Sequence, residues 1–322
     1  MSGQNPASDP APDQAAGPAP DHAPALARDA AALTVGAVVL TMGDRPAELR
    51  ALLDSVAAQE GDRVEVVVVG NGAELPPLPE GARGVELPEN LGIPGGRNVG
   101  IEAFGPAGGD VDVLLFLDDD GLLPDKETVR LVREAFAADP GLGIISFRIA
   151  DPDTGVTQRR HVPRLRASDP MRSSRVTTFL GGANAVRTAV FRDVGGLPEN
   201  FFYAHEETDL AWRALDAGWA IDYRADLLLY HPATAPSRHA MYHRMVARNR
   251  VWLARRNLPV SLVPVYLGVW LLLTLVRRPS WPALRAWFGG FAEGWRTPCG
   301  QRRAMRWRTV WRLTRLGRPP VI

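Results

Sequence analysis

Apolar residues in this chain follow two alternating patterns: short unbroken runs, and stretches in which they recur every three or four positions. Residues 34–41 (TVGAVVLT), 64–69 (VEVVVV) and 111–117 (VDVLLFL) have the length and aliphatic, largely β-branched character of buried strands. Residues 46–58 carry Leu49, Leu52, Leu53 and Val56 at helical spacing with a proline near the first turn, which predicts a helix. Weaker signals place a strand at 84–87 and a helix at 95–104 after a glycine-rich stretch. Further on, helices are expected at 126–138 and 206–217, and strands at 143–149, 179–186 and 227–230. The polar, arginine-rich residues 150–178 read as an irregular, substrate-facing loop. Strands that alternate with helices indicate an α/β fold with a parallel sheet covered on both faces. Such sheets bind ligands at the carboxyl ends of their strands.

The two ends of the chain differ from this middle. Residues 1–33 are mostly Ala, Pro, Asp and Gly, with too little large apolar surface to offset the entropy of ordering, so a disordered tail is expected. They show no basic start followed by an apolar run, and so do not read as a signal peptide. Residues 245–322 hold fifteen Arg, no Lys and one acid, Glu293, a formal +14 that leaves −13 for residues 1–244. An acidic front with an arginine-rich rear implies that the rear faces an anionic surface. No nucleic-acid recognition motif accompanies the charge, which leaves phospholipid as the expected partner.

Within the rear, residues 258–276 carry no charge and are flanked by Arg255-Arg256 and Arg277-Arg278, near the minimum for a membrane-spanning helix. Pro259 and Pro264 weaken the first part, and the mixture of Trp, Phe and Arg over 281–316 suits helices lying among headgroups. The expectation is a monotopic or shallowly inserted element at the cytoplasmic membrane face, with a single transmembrane segment at 258–276 as a variant. A helical hairpin on the preceding domain or an oligomer interface is the alternative. The single cysteine, Cys299, excludes an internal disulfide and a cysteine-rich zinc cluster, and fits a reducing compartment.

Candidate chemistry sits where strands end. Asp118-Asp119-Asp120 closes the third strong strand, and three adjacent carboxylates call for a counter-charge such as Mg²⁺ or Mn²⁺; a solvated acidic turn is the plainer alternative. Glu206, Glu207 and Asp209 open a helix. The helix dipole accounts for acids there, and it equally favours the ionised carboxylate that a general base needs. Asp209 and Arg213 are four apart and can pair, leaving Glu206 or Glu207 free. His231 follows the last strand and can converge on the triplet, although a lone histidine is more often structural. Gly92, Gly95, Gly96 and Gly100 surround Arg97-Asn98, where they would admit a phosphate or sugar or simply mark a turn. Neither a P-loop nor a dinucleotide fingerprint is present.

The ordered set VVLT, VVVVGNG, ENLGIPGGRNVGI, LLFLDDD, GGANAVRTAVFRDVGGLPENFF, HEETDLAWRALDAGW and LLYHP resembles glycosyltransferase family 2 over roughly residues 34–256, and within it the bacterial rhamnosyl- and galactofuranosyltransferase-like branch. The resemblance implies a GT-A fold with a Rossmann-like mixed sheet, a nucleotide-diphosphate sugar donor and a metal. Asp118, Asp119 and Asp120 match the family's DXD motif; Asp118 and Asp120 are the implied metal ligands with His231, and Asp118 and Asp119 face the donor. Glu206-Glu207 matches the family's Glu-Asp pair, which implies Glu207 as the catalytic base with Glu206 beside it. Thr41, Arg45, Asn71, Arg97 and Asn98 match donor-side positions. At 70–73 the chain has Gly-Asn-Gly-Ala where many members place a base-reading Asp.

These readings divide the chain into a tail (1–33), a catalytic domain (34–244, with a donor half 34–120 and an acceptor half 121–244) and a membrane-associating extension (245–322). They describe a metal-dependent inverting glycosyltransferase with a lipid-linked or cell-envelope glycan acceptor. The alternatives are a sugar-nucleotide pyrophosphorylase-like enzyme, against which the loop at 41–46 argues, and a catalytically inactive membrane-bound glycan-binding protein.

Overall fold

A computed structural model describes residues 29–166, 169–232, 240–277 and 279–322. Its central strand, Val35–Thr41 (β1), alternates side chains between two apolar layers: Val35, Ala37 and Val39 face one, and Val38 faces the other. β1 pairs in parallel with Glu65–Asn71 (β2) and Val113–Asp118 (β4), and β2 pairs in parallel with Ala82–Leu87 (β3). Beyond β4 lie Ala183–Arg187 (β7), Leu142–Ala150 (β5), Ala220–Tyr230 (β8) and Ser174–Arg175 (β6), giving the order β3-β2-β1-β4-β7-β5-β8-β6. Val39, Val67, Val68 and Leu115 are wholly buried, each such side chain worth about 1.5–3 kcal/mol relative to exposure.

Pro46–Ala57 (α1) and Thr128–Ala138 (α3) cover one face of the sheet. Gly92–Glu102 (α2), Thr188–Val194 (α4) and Glu206–Ala217 (α5) cover the other. The sheet is mixed rather than parallel throughout: β7 runs antiparallel to both β4 and β5, and β6 runs antiparallel to β8. This is the mixed sheet that the family resemblance implies; the alternation of strands and helices alone suggests a parallel one, because it does not register the return of the chain through the short β7 before α4. β8 is also much longer than the four residues expected, since its first half alternates polar and apolar positions and is buried on one face only.

The ends require three corrections. Residues 1–28 of the expected disordered tail lie outside the described residues. Ala30–Ala32, however, form a helical turn, and Leu33 is buried in the core. The expected boundary at 245 falls inside Ala240–Asn257 (α6). Val251, Trp252 and Leu253 of α6 share one apolar layer with Leu210 and Trp212 of α5, as do Tyr266 of Leu262–Val276 (α7) and Leu313 of Trp307–Arg315 (α9). Between α7 and α9 lies Trp281–Arg296 (α8), packed along α6. Finally, the uncharged run at 258–276 yields a helix of only 15 residues, because Pro259 precedes its first turn. Among the described residues, no helix is long and apolar enough to cross a membrane.

Candidate functional site

The carboxyl ends of β1, β2 and β4 open into a cleft of about 460 Å³. Thr41, Asn71 and the Asp118-Asp119-Asp120 triplet line it, as do Arg45, Arg97 and His231. Thr41, the last residue of β1, donates from Oγ1 to Oδ2 of Asp119 at 2.7 Å. Burial pushes the Asp119 carboxyl above its ordinary value, with the Thr41 hydrogen bond and the Arg45 charge acting against it. Arg45 Nη1 pairs with Oδ2 of Asp120 and lies 3.6 Å from Asp119.

His231 arrives through backbone pairing. Leu122 and Tyr230 exchange two hydrogen bonds, 2.9 and 2.8 Å, which bind the segment after the triplet to the end of β8. The imidazole Nε2 then lies 3.0 Å from Asp120 Oδ1 and 3.9 Å from Asp118 Oδ2. His161, from the loop after β5, packs edge-on 6.5 Å from its ring. His231 Nδ1 is 2.8 Å from the Pro232 carbonyl, an acceptor, so Nδ1 carries the proton and in the neutral ring Nε2 presents a lone pair. That atom stands at hydrogen-bonding distance from the buried Asp120 Oδ1, whose one near partner among the described residues it is. Two electron-rich atoms held together in this way require a proton or a cation. The Asp120 contact raises the imidazole's affinity for a proton, with burial opposing it. Among the described residues no three His, Cys, Asp or Glu side chains already stand in ligand geometry, since Asp120 is turned to Arg45 and His231. The donor set itself, two carboxylates and an imidazole nitrogen, fits a divalent cation such as Mg²⁺ or Mn²⁺.

Arg97 connects this cluster to the helix-start acids. Only 6% exposed, it reaches Asp118 Oδ1 from Nη2 at 3.3 Å and Glu207 Oε1 from Nη1 at 3.4 Å. Glu206 and Glu207 are adjacent in sequence but differ in environment. Glu206 is 1% exposed, with Oε2 unpartnered, and burial followed by the neighbouring Glu207 charge raises its carboxyl well above the usual range. Glu207 is partly exposed and meets the cleft through its pairing with Arg97, which lines it. Asp209 does not join them: it is buried, salt-bridged to Arg213, and turned towards α6.

Two of the expected donor residues serve the scaffold. Asn98 donates to the Leu197 carbonyl and Glu199 and accepts from the Leu197 amide, so it ties α2 to the loop before α5 instead of lining the cleft. Asn71 reaches the cleft, but its amide bonds Asn90, Leu91 and Gly92 and holds the entry to α2.

Other residues give the site its shape and were not singled out from sequence. A Cβ on Gly182 would stand 1.8 Å from Asp118 Oδ2, and one on Gly181 would stand 2.1 Å from Glu207 Oε1, so a side chain at either position would push these carboxylates from where they lie as β7 begins. Phe202, Ala204 and His205 have φ of 62°, 72° and 74°, left-handed values that cost energy in non-glycine residues and cluster at functional sites. Asn249, fully buried on α6, holds that strained loop by donating to the carbonyls of Phe201, Tyr203 and Ala204 at 2.7–2.9 Å. The glycine pair was visible in sequence as the opening of a strand. Asn249 carried no signal, because it acts from a segment read as a separate extension.

Residues 37–195 match the family model described as glycosyl transferase family 2. The chain carries a glycosyltransferase family 2 domain. Among curated proteins, the family 2 domain is similar to the pre-mycofactocin glycosyltransferase of Mycobacterium tuberculosis, 25% identical over 234 residues that make up 68% of this chain and 44% of that protein. The chain therefore spans less than half the length of the curated relatives it matches. Among solved structures it resembles GalNAc-T7 with UDP, GalNAc and Mn²⁺ (TM-score 0.56, 14% identity, 73% of this chain and 49% of that one). It also resembles the mannosyltransferase PcManGT of Pyrobaculum calidifontis in complex with GDP-Man and Mn²⁺ (TM-score 0.50, 17% identity, 92% and 87%). At these identities the likeness is one of fold, and the fold is GT-A.

Proposed function

We propose that this glycosyltransferase domain transfers a sugar from a nucleotide-diphosphate donor to an acceptor hydroxyl with inversion at the anomeric carbon. The observation that supports the reading is the position of Arg97, which lines the cleft and pairs with both the triplet's Asp118 and Glu207. Glu207 is the residue placed to accept the proton of the attacking hydroxyl. Burial and the neighbouring Glu207 charge favour the neutral form of Glu206, which makes it the poorer base of the two near pH 7. Thr41 holds Asp119, and the glycine pair at 181–182 keeps β7 clear of Asp118 and Glu207. A Mg²⁺ or Mn²⁺ ion held by Asp118, Asp120 and His231 would supply positive charge for the departing diphosphate.

The acceptor is proposed to be a lipid-linked or cell-envelope glycan met at an anionic membrane surface, on the cytoplasmic side. Trp281, Phe288 and Trp295 recur every seven residues, stay exposed, and thus form one face of α8 beside exposed Arg285 and Arg296. α9 exposes Trp307 and Trp311 with Arg308 and Arg315. Tryptophan and arginine together on exposed helix faces suit the headgroup layer.

A screen of nucleotide sugars by nucleotide release, with and without Mn²⁺ or Mg²⁺, tests the donor reading. Release from at least one donor, dependent on the ion and lost in Asp120→Ala, is expected. Release that ignores both the ion and the substitution would remove the metal from the reading.

A further inference from the structure

Two cleft residues take no part in the chemistry above. Phe202 and Tyr203 line the cleft together with Arg97 and the Asp118-Asp119-Asp120 triplet, and they come from the loop that leads into α5 rather than from a strand end. They are 40% and 37% exposed, whereas Phe201 just before them is buried. Aromatic side chains of this size usually fill a core, so two in succession on a cleft wall call for a reason.

The backbone keeps them there. Phe202 has φ 62° and ψ −46°, and Ala204 and His205 are also at positive φ, values that a chain holds only where its surroundings enforce them. The Phe202 carbonyl accepts from the Ile93 amide at 2.8 Å, an approach that Gly92 permits, since a Cβ at that position would stand 2.3 Å from the same oxygen. Asn249 holds the carbonyls of Phe201, Tyr203 and Ala204. These bonds engage main-chain atoms and leave the side chains of Phe202 and Tyr203 at the cleft.

The Tyr203 ring is fixed near the reacting groups. Tyr242 of α6 meets it edge-on, with ring centroids 6.1 Å apart and planes at 64°. Burial, then Tyr242, then the charges of Glu206, Glu207 and Asp118 raise the phenol above its ordinary value. The hydroxyl therefore stays protonated at neutral pH and can donate a hydrogen bond. A partly exposed ring with a donor at its tip suits a sugar. The C–H face of a sugar ring is apolar and lies well against a π face, while its hydroxyls project sideways to polar partners.

We propose that Tyr203 is the platform on which the ring of the acceptor sugar lies, turning its attacking hydroxyl towards Glu207. The group that receives the transferred sugar is then itself a sugar residue, rather than a lipid or peptide hydroxyl. The assignment to the acceptor rests on the glycosyltransferase reading; the sugar-stacking site itself does not.

The test uses the full chain, with the methyl glycosides of glucose, galactose, mannose and rhamnose as probes in saturation-transfer NMR. At least one should receive saturation, strongest at the protons of one ring face. Tyr203→Phe keeps the ring and should keep most of the affinity. Tyr203→Leu keeps apolar bulk without the π face and should weaken binding by roughly 3- to 10-fold, the size of one aromatic stacking contact. Because the loop is held through its carbonyls, both variants should fold, which thermal unfolding checks; the one-face pattern on the native chain remains a readout if Tyr203→Leu does not. Calorimetry with UDP, GDP and TDP in Mg²⁺ should give the same affinities in all three proteins. Absence of saturation in every glycoside, saturation spread evenly over the probe, or binding unchanged in Tyr203→Leu overturns the platform. Nucleotide affinity lost together with glycoside binding would place the ring against the donor and equally overturn the proposal. Nucleotide release from sugar donors is measured separately: its absence, with Tyr203-dependent glycoside binding intact, would count against the transferase reading alone.

Discussion

Arg256, on the helix that begins the arginine-rich rear, donates from Nε to Oδ1 of Asp209 at 2.8 Å, inside the helix that carries Glu206 and Glu207. Asp209 has no exposed side-chain surface and is also held by Arg213 at 2.7 Å and Asn257 at 2.7 Å. Breaking such a buried group of charges by removing one partner costs about 3–5 kcal/mol. Asp209→Asn should therefore destabilise the whole chain by an amount of that order in urea unfolding. Burial alone would raise the Asp209 carboxyl, but Arg213 and Arg256 bring it below the 3.8 of the unfolded chain. Its contribution is complete above that value and lost as the pH falls through the lower native one. The acid limb of the stability profile should accordingly flatten in Asp209→Asn.

That salt bridge explains how far the sequence could be read. The buried strands β1, β2 and β4 and the acids at their ends were legible, because each is a continuous local pattern. The association of the rear was not. Arg256, Asn257 and Asn249 act on residues 45 to 48 positions away, and a count of charges records an exposed arginine and a buried one alike. The reversal at β7 was hidden for a similar reason: Ala183–Arg187 is short, and its direction is set by the neighbours it pairs with.

Glu206 and Glu207 should separate cleanly. Because burial raises the Glu206 carboxyl above its unfolded value of 4.5, the native state holds a proton that the unfolded chain releases, and stability should decline as pH rises above about 4.5. Glu206→Gln, which imitates the neutral acid, should remove part of that decline while preserving most turnover at pH 7. Thermal unfolding across pH 5–9 together with an activity assay checks both. Loss of turnover in Glu206→Gln with an unaltered stability profile would point to Glu206 as the base.

The exposed aromatic faces of α8 and α9 should bring the chain to anionic vesicles. Attraction of about 1 kcal/mol per arginine near the surface is sensitive to salt, whereas burial of tryptophan is not. Sedimentation with phosphatidylserine-containing vesicles should fall with added salt without vanishing. Trp281→Ala combined with Trp295→Ala should abolish the salt-resistant part. Failure to sediment at low salt would instead make these faces contacts between protein molecules.

The central claim is that Glu207, which shares Arg97 with Asp118, removes the proton of the attacking hydroxyl. It is tested most directly by measuring turnover and donor affinity for Glu207→Gln with a donor identified by nucleotide release. Turnover should fall by on the order of 10²–10⁴, the range for a lost general base, with donor affinity nearly unchanged. Near-normal turnover in Glu207→Gln would contradict the assignment.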